Sequence, residues 1–204
     1  MKRFKNLEGP GPLVALVSVP IGNIEDISAR AKKIFAEADL VCCEDTRTTG
    51  ALLAQLGIKP QRLMSLYSQV EGVKSKGIIA DIKGTDQLVA YCSDAGTPGI
   101  SDPGALLAKE AIDAGIRVTA VPGASAVLSA LVISGLDTAD FVFYGFLSTK
   151  EEARKRELEA ASRQPMTMVF YGAPGGGSAT FRAVSYPHLR AHQSKADSLR
   201  LSRL

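Results

Sequence analysis

The chain has 204 residues, 46% of them hydrophobic and 22% charged, with a formal net charge of +3. That size suits one α/β unit or two small domains, and no apolar run reaches the length of a membrane span. The positive charge is local: residues 182–204 hold five basic side chains against Asp197 alone, a balance of +4 that leaves −1 on the other 181 residues. No global basic field therefore marks the body of the chain as a nucleic-acid binder.

Residues 1–12 are basic without an apolar core, so they read as an N-terminal extension and not as a secretory peptide. Leu13 to Val19 is an apolar run that stops at the turn Pro20-Ile21-Gly22-Asn23, a first strand and its loop. From Asp26, the residues Ile27, Ala31, Ile34 and Phe35 recur at helical spacing. A short strand at Leu40 to Cys43 runs into Glu44-Asp45-Thr46-Arg47. A helix follows with Leu52, Leu53 and Leu56 on one face, closed by Gly57 and Pro60. Arg62 to Leu66 suits a short strand, Val70 to Lys83 a weak polar helix, and Leu88 to Tyr91 a buried strand.

The stretch Tyr91-Cys92-Ser93-Asp94-Ala95-Gly96-Thr97-Pro98-Gly99-Ile100-Ser101-Asp102-Pro103-Gly104 links that strand to a helix. In an open α/β fold such a loop lies at the carboxyl edge of the sheet, where ligands bind. Gly96 and Gly99 permit positive φ and close approach of a ligand to the backbone, while Pro98 and Pro103 stiffen the loop. Asp102 stands where an N-cap is expected and Pro103 at the first helical position. That structural account covers the end of the stretch and leaves Asp94 to Ser101 for function, as long glycine-rich loops in compact domains usually are.

The helix from Asp102 runs to Gly115, and a strand spans Ile116 to Val121. After Pro122-Gly123-Ala124-Ser125-Ala126 comes Val127 to Ile133, a helix apolar all round that should be buried. The alternation of strand and helix implies a parallel sheet with helices on both faces. Gly135-Leu136-Asp137-Thr138 reads as a boundary. Beyond it, a strand covers Phe141 to Leu147, Thr149 with Glu152 makes a capping-box pattern, and a charged helix reaches Arg163. Met166 to Tyr171 is another strand. The run Arg154-Lys155-Arg156 could face phosphate, but a solvated face is the better reading of it. From Gly175-Gly176-Gly177 no period is visible, and from about Ala183 the sequence reads as foreign to the fold.

The expected organisation is a parallel-sheet α/β domain over 13–135, an incomplete second α/β domain over 136–174, and an irregular tail over 175–204. Two strands and a helix are too few for a core of their own.

Cys42, Cys43 and Cys92 sit at strand ends, odd in number and without zinc spacing, so they read as buried reduced thiols of a cytoplasmic protein. His188 and His192 are the only histidines, which argues against a histidine-dependent mechanism or a histidine metal site in the core. There is no P-loop, no Gly-x-Gly-x-x-Gly after the first strand and no Gly-x-Ser-x-Gly elbow. What remains is four strand-end loops, at Pro20–Asn23, Glu44–Arg47, Asp94–Ser101 and Gly123–Ala126. They are expected along one sheet edge, where they can share a pocket.

Val19-Pro20-Ile21-Gly22-Asn23-Ile24-Glu25-Asp26-Ile27, Glu44-Asp45-Thr46-Arg47, Ser93 to Gly104, and Pro122-Gly123-Ala124-Ser125-Ala126 together resemble the tetrapyrrole methylase superfamily. Within it, they are most similar to the branch that methylates a cytidine ribose 2′-hydroxyl of small-subunit (16S) ribosomal RNA. The similarity runs from about Leu13 to Tyr171, and the Ser93–Gly104 string is its specific part. The resemblance implies two α/β domains with S-adenosylmethionine bound between them, no metal, and a cytoplasmic homodimer that acts on the 30S subunit. It also implies that Pro20, Asp94, Ala95, Gly96, Ile100, Ser101, Ser125 and Ala126 line the cofactor site, with Tyr171 and Gly172 closing it from the second domain.

Backbone groups at Gly96 and Ser101 would then take the amino-acid end, Ile100 and Ala126 the adenosine, and Asp94 the amino group or the sulfonium charge. Methyl transfer to a hydroxyl is an in-line displacement that gains from alignment and from a base. Glu44 and Asp45 are the nearest acidic candidates, and Arg47 is placed to hold phosphate. Alternatively, Asp45 or Thr46 caps the following helix and Arg47 pairs with Glu44. Two stretches depart from the family pattern. Ser65-Leu66-Tyr67-Ser68-Gln69-Val70-Glu71 stands where Ser-Tyr-His-Glu-His-Asn-Glu is typical, and Gly172-Ala173-Pro174-Gly175-Gly176 where Glu-Ser-Pro-His-Arg is. Two other readings stay open: methylation of a tetrapyrrole or other small molecule, and a non-catalytic module that retains the cofactor.

Overall fold

The computed structural model describes residues 9–172, which divide into two compact units, one ending at Ser125 and one beginning at Ala126. In the first unit, β1 (Leu13–Val17), β2 (Leu40–Cys43), β3 (Leu63–Ser65), β4 (Leu88–Cys92) and β5 (Arg117–Val121) form one sheet in the order β3-β2-β4-β1-β5. Every pairing is parallel, with Leu13 beside both Leu88 and Arg117. β2 and β4 are buried along their whole length. A parallel strand covered on both faces must be apolar on both, which is why these segments read as unbroken apolar runs rather than alternating ones.

Helices cover the sheet on both sides. α1 (Ala29–Glu37) and α2 (Thr46–Gln55) bring Ala31, Ile34, Phe35 and Leu53 against Ala15, Val17, Val41, Ala90 and Cys92. α3 (Ser68–Ile82) and α4 (Ala105–Asp113) bring Ile78, Ile79, Ile82, Leu107 and Ala111 against Val14, Cys42, Val89 and Tyr91 on the other face. The connections through α1 and α2 step toward the β3 edge over one face, and those through α3 and α4 step back over the other. β1 and β4 are neighbours, so the loops leaving them diverge to opposite faces. This is the switch point of an open α/β sheet, the place where such folds leave a crevice.

Local chemistry sets the helix starts, not always as expected. Asn23 caps a 3-10 turn at Ile24–Asp26, and Ser28 accepts from the Ala31 N–H to begin α1 one turn later. Asp102 does not cap α4. Gly104 stands at the cap with φ +119° and no side chain to offer, and the Oε1 of Glu71 supplies the acceptor from α3 instead. A Cβ at Gly104 would lie 2.8 Å from Cε1 of Tyr91, so the backbone can pass only as glycine.

The second unit contains α5 (Ala126–Ser134), β6 (Phe141–Phe146), α6 (Glu151–Ala161) and β7 (Thr167–Tyr171). β6 and β7 are parallel, with a register shift between Phe143 and Gly145. α5 was expected to be buried all round and is not: Val127 and Leu131 are covered, whereas Leu128, Ile133 and Val132, the last 83% exposed, face outward. Hydrophobicity states what a helix would bury, and the structure supplies cover for one seam only. The Thr149–Glu152 capping box does not form either. Lys150 occupies the cap without a side-chain bond, and the Ser148 N–H donates to Glu157. Along the basic run, Lys155 pairs with Glu151 and Glu152, and Arg154 donates to the carbonyls of Ser148 and Thr149. The glycine run at 175–177, both histidines and the tail beyond them lie outside the described residues.

No helix among the described residues is long and apolar enough to cross a membrane. Cys42, Cys43 and Cys92 are buried and free, and burial pushes the Cys42 and Cys92 thiols up to about 12, which suppresses their reactivity.

Candidate functional site

The loops after β1 and β4 are stitched together at the switch point. The Val19 N–H donates to the Gly96 carbonyl at 2.9 Å, and the Gly96 N–H returns to the Val19 carbonyl at 3.1 Å. These two bonds make a short antiparallel bridge at the end of a parallel sheet. Gly96 adopts φ +74°, and a Cβ there would lie 3.4 Å from Cγ2 of Ile21. With its N–H spent on Val19, Gly96 offers room more than a donor.

The loop after β5 joins the same assembly. The Thr97 hydroxyl donates to the Ala124 carbonyl at 3.2 Å and lies 3.0 Å from the Ser18 hydroxyl, which therefore donates to it. Gly123 lies so close that a Cβ would be 2.9 Å from that of Ser18. Three strand ends are thus fixed by two small hydroxyls and two glycines. In the sequence, Thr97 stands out only as a member of the Asp94–Ser101 stretch and Ser18 not at all, because a small polar residue at a strand end carries no periodic signal.

The β2 loop is tied in through carboxylates. The Asp45 N–H donates to Oδ1 of Asp94 at 3.2 Å, and the Asp94 backbone helps offset the cost of a charge on the Glu44 carboxyl. Asp45 is the N-cap of α2, accepting from the Arg47 N–H at 2.8 Å, so the capping alternative holds for Asp45 and not for Thr46. Arg47 closes on the same carboxylate, with Nη2 2.6 Å from Oδ2 of Asp45, instead of pairing with Glu44. Hydrogen bonds from Arg47 hold the Asp45 carboxyl down to about 2. The Arg47 side chain remains 90% exposed, a cation presented outward at this edge.

The other carboxyls are shifted the opposite way. Burial, then the charges of Asp94 and Asp102, push Glu44 above the usual carboxylate range. Burial raises Asp94 in spite of the Asp45 N–H bond, and burial with the Asp94 charge raises Asp102. A carboxylate destabilised in this way takes a proton more readily. Of the two, Glu44 is the more basic carboxyl, while Asp45 is occupied as cap and ion pair. Among the described residues, no three His, Cys, Asp or Glu side chains are placed to share a metal ion.

Pro20 is half-buried beside this junction, Ala95 is exposed on the β4 loop, and Ile100 shows 46% of its surface although it is apolar. Ser101 has φ +63°, the only non-glycine residue with positive φ among the described residues. Such conformations cluster where a loop is shaped for a ligand. Ser125 is half-buried at the end of the first unit. In the second unit, Ala126 is the first residue of α5 and Gly172 is exposed after β7. Tyr171 stacks edge-on against Phe143 at 4.9 Å and packs against Phe146 at 5.2 Å. The structure thus brings Pro20, Glu44, Asp45, Arg47, Asp94, Ala95 and Gly96 to one edge of the first unit, with Ile100 and Ser101 further along the same loop.

Comparison with known proteins adds the following. The model of the tetrapyrrole (corrin/porphyrin) methylases matches residues 13–193. A protein of Mesorhizobium japonicum named ribosomal RNA small subunit methyltransferase I is 46% identical over 163 residues, which are 80% of this chain and 55% of that protein. Its namesake from Xylella fastidiosa is 46% identical over 164 residues, again 80% of this chain and 59% of the relative. The chain thus spans a little more than half the length of these relatives. Among solved structures, a conserved hypothetical protein of Aeropyrum pernix superposes with a TM-score of 0.66 at 18% identity, covering 86% of this chain and 66% of that one, a likeness of fold.

Proposed function

The chain belongs to the tetrapyrrole (corrin/porphyrin) methylase family, and from that membership we propose that it serves as an S-adenosylmethionine-dependent methyltransferase of small-subunit ribosomal RNA. The observation that carries the reading is the junction at the switch point. There, the bridged β1 and β4 loops present Asp94, Ala95, Ile100 and Ser101 beside a raised-pKa carboxyl, Glu44. The RNA substrate is brought in by the names of the two relatives.

The residues fit the cofactor's chemistry. When bound, S-adenosylmethionine supplies an activated methyl group on a sulfonium. Asp94, with one carboxylate oxygen on the Asp45 N–H, has its second free to accept from an ammonium or to offset a cation. Ile100 and Ala95 offer apolar surface to a purine, and Ser101 turns the backbone sharply beside them. Glu44 accepts the proton of the attacking hydroxyl, which we assign to the ribose 2′-oxygen of a cytidine. Exposed Arg47 stands ready for the phosphate of the same strand. The 30S subunit as substrate, a homodimer as the working form and a cytoplasmic location belong to the same proposal.

The test is calorimetric titration of the full chain with S-adenosylmethionine, followed by transfer of labelled methyl groups to 30S subunits. Asp94→Ala is expected to weaken cofactor binding about tenfold or more, in line with loss of a charge-assisted bond. Glu44→Gln is expected to leave binding in place and to lower methyl transfer by about a hundredfold. Transfer to a porphyrinoid with none to the subunit would replace the RNA reading with the small-molecule one. Binding without transfer to either would favour the non-catalytic module.

A further inference from the structure

α4 begins where the β4 loop ends, and its first turn has no cap of its own. Gly104 has no side chain, and the Tyr91 ring forbids one. A helix start leaves its first four N–H groups without intrahelical partners, and here they include those of Gly104, Leu106 and Leu107. All three converge on one atom, Oε1 of Glu71, at 2.7, 3.0 and 3.3 Å. Glu71 is only 5% exposed and lies in the first turn of α3, so its charge also sits at the favourable end of its own helix. Tyr91 completes the contact from the other side, its ring against Gly104 and its hydroxyl donating to the Leu66 carbonyl just before α3.

The β4 loop is thus held at two points. The Val19–Gly96 bridge fixes its beginning, and Glu71 fixes its end. Between them lie Ile100 and the left-handed Ser101, and the Gly99 N–H donates to the Pro103 carbonyl. A residue held at φ +63° reverts to an easier conformation unless its flanks are fixed. We propose that Glu71 is a positioning residue for the cofactor loop: by gathering the three N–H groups of the α4 start, it holds Ile100 and Ser101 in the geometry that binds the ligand. The inference rests on the assignment of S-adenosylmethionine to this loop. It gives the 65–71 stretch a use that does not depend on the histidines and asparagine it lacks.

The test uses the full chain and two substitutions. Glu71→Gln keeps an acceptor oxygen in place. Glu71→Leu keeps the volume and leaves the three N–H groups without the Glu71 acceptor. Ile34→Val, in the core on the opposite face of the sheet, serves as a control for stability alone. Titration with S-adenosylmethionine is read beside amide hydrogen exchange at Gly104, Leu106 and Leu107.

A loop that is competent in only about one molecule in ten raises the apparent Kd about tenfold. The expected order is therefore a rise of about tenfold for Glu71→Leu, a smaller rise for Glu71→Gln, and none for Ile34→Val. Exchange should be faster at those three amides only in the Glu71 variants. Should Glu71→Leu not fold, the Glu71→Gln shift and its exchange pattern carry the test. Cofactor binding by the unaltered chain with an equal Kd in Glu71→Gln, at unchanged exchange, overturns the positioning role and leaves the functional reading intact. No binding by the unaltered chain overturns the assignment of the cofactor to this loop, and the positioning role with it.

Discussion

The two units treat apolar surface in opposite ways. In the first, five parallel strands are covered on both faces, and helix residues such as Phe35, Leu53 and Leu107 are sealed to 1% exposure or less. Among the described residues of the second, two strands and two helices leave Val132, Ile133, Phe141 and Phe146 facing outward, and the aromatic rings of β6 and β7 pack on one another. The difference teaches where rigidity comes from. A sheet closed on both sides fixes its loops to within a hydrogen bond, whereas the two strands described in the second unit bring fewer neighbours to the task.

Glycine substitutions should show the contrast most strongly. Gly104→Ala forces a Cβ into the Tyr91 ring at φ +119° and is expected to cost about 4 kcal/mol. Gly135→Ala, at φ +69° with nothing within 4 Å, should cost about 1 kcal/mol. Urea denaturation of both variants measures this, and equal costs would break the contrast.

Truncation of side chains comes next. Leu53→Ala in the first unit is expected to lose about 3 kcal/mol. Val132→Ser in the second should stay within about 0.5 kcal/mol. A loss above about 1 kcal/mol at Val132 would show that the outward face of α5 is covered in solution.

The smallest effect is electrostatic. Glu44 has its pKa raised on folding, so its contribution favours the folded state below the unfolded carboxylate value and is lost as pH rises through the raised one. Glu44→Gln should therefore slightly raise the melting temperature at neutral pH and flatten its fall above about pH 4. Asp45 runs the other way: its stabilising effect is present above the unfolded value and disappears as pH falls toward about 2. Melting curves against pH for Glu44→Gln and Asp45→Asn would separate the two signs.

The strands and the edge they share were legible because burial on both faces leaves an unmistakable apolar run. β2 has the bounds Leu40–Cys43 that its residues suggest, and the strand-end loops follow from the parallel alternation. What escaped depends on distant partners. The α4 cap comes from Glu71, 33 positions back, and nothing near Asp102 marks it. Arg47 chose Asp45 over Glu44 because the cap had already turned that carboxylate toward it. α5 misled because composition measures appetite for burial and not the supply of neighbours. The Ser18–Thr97–Ala124 relay was invisible because two of its members are ordinary small residues until the fold places them together.

The placing of β1 between β4 and β5 has a consequence in time. Its partners among the described residues, β4 and β5, follow it by about 75 and about 104 residues, as the alignment of Leu13 with Leu88 and Arg117 shows. At a synthesis rate of about 5–20 residues per second, β1 waits from about 4 to about 15 s for its β4 neighbour. The outer pair β2–β3 can form meanwhile, so the sheet is completed from one margin inward. During that interval, Leu13–Val17 is an apolar segment without its sheet partners, open to association with other chains.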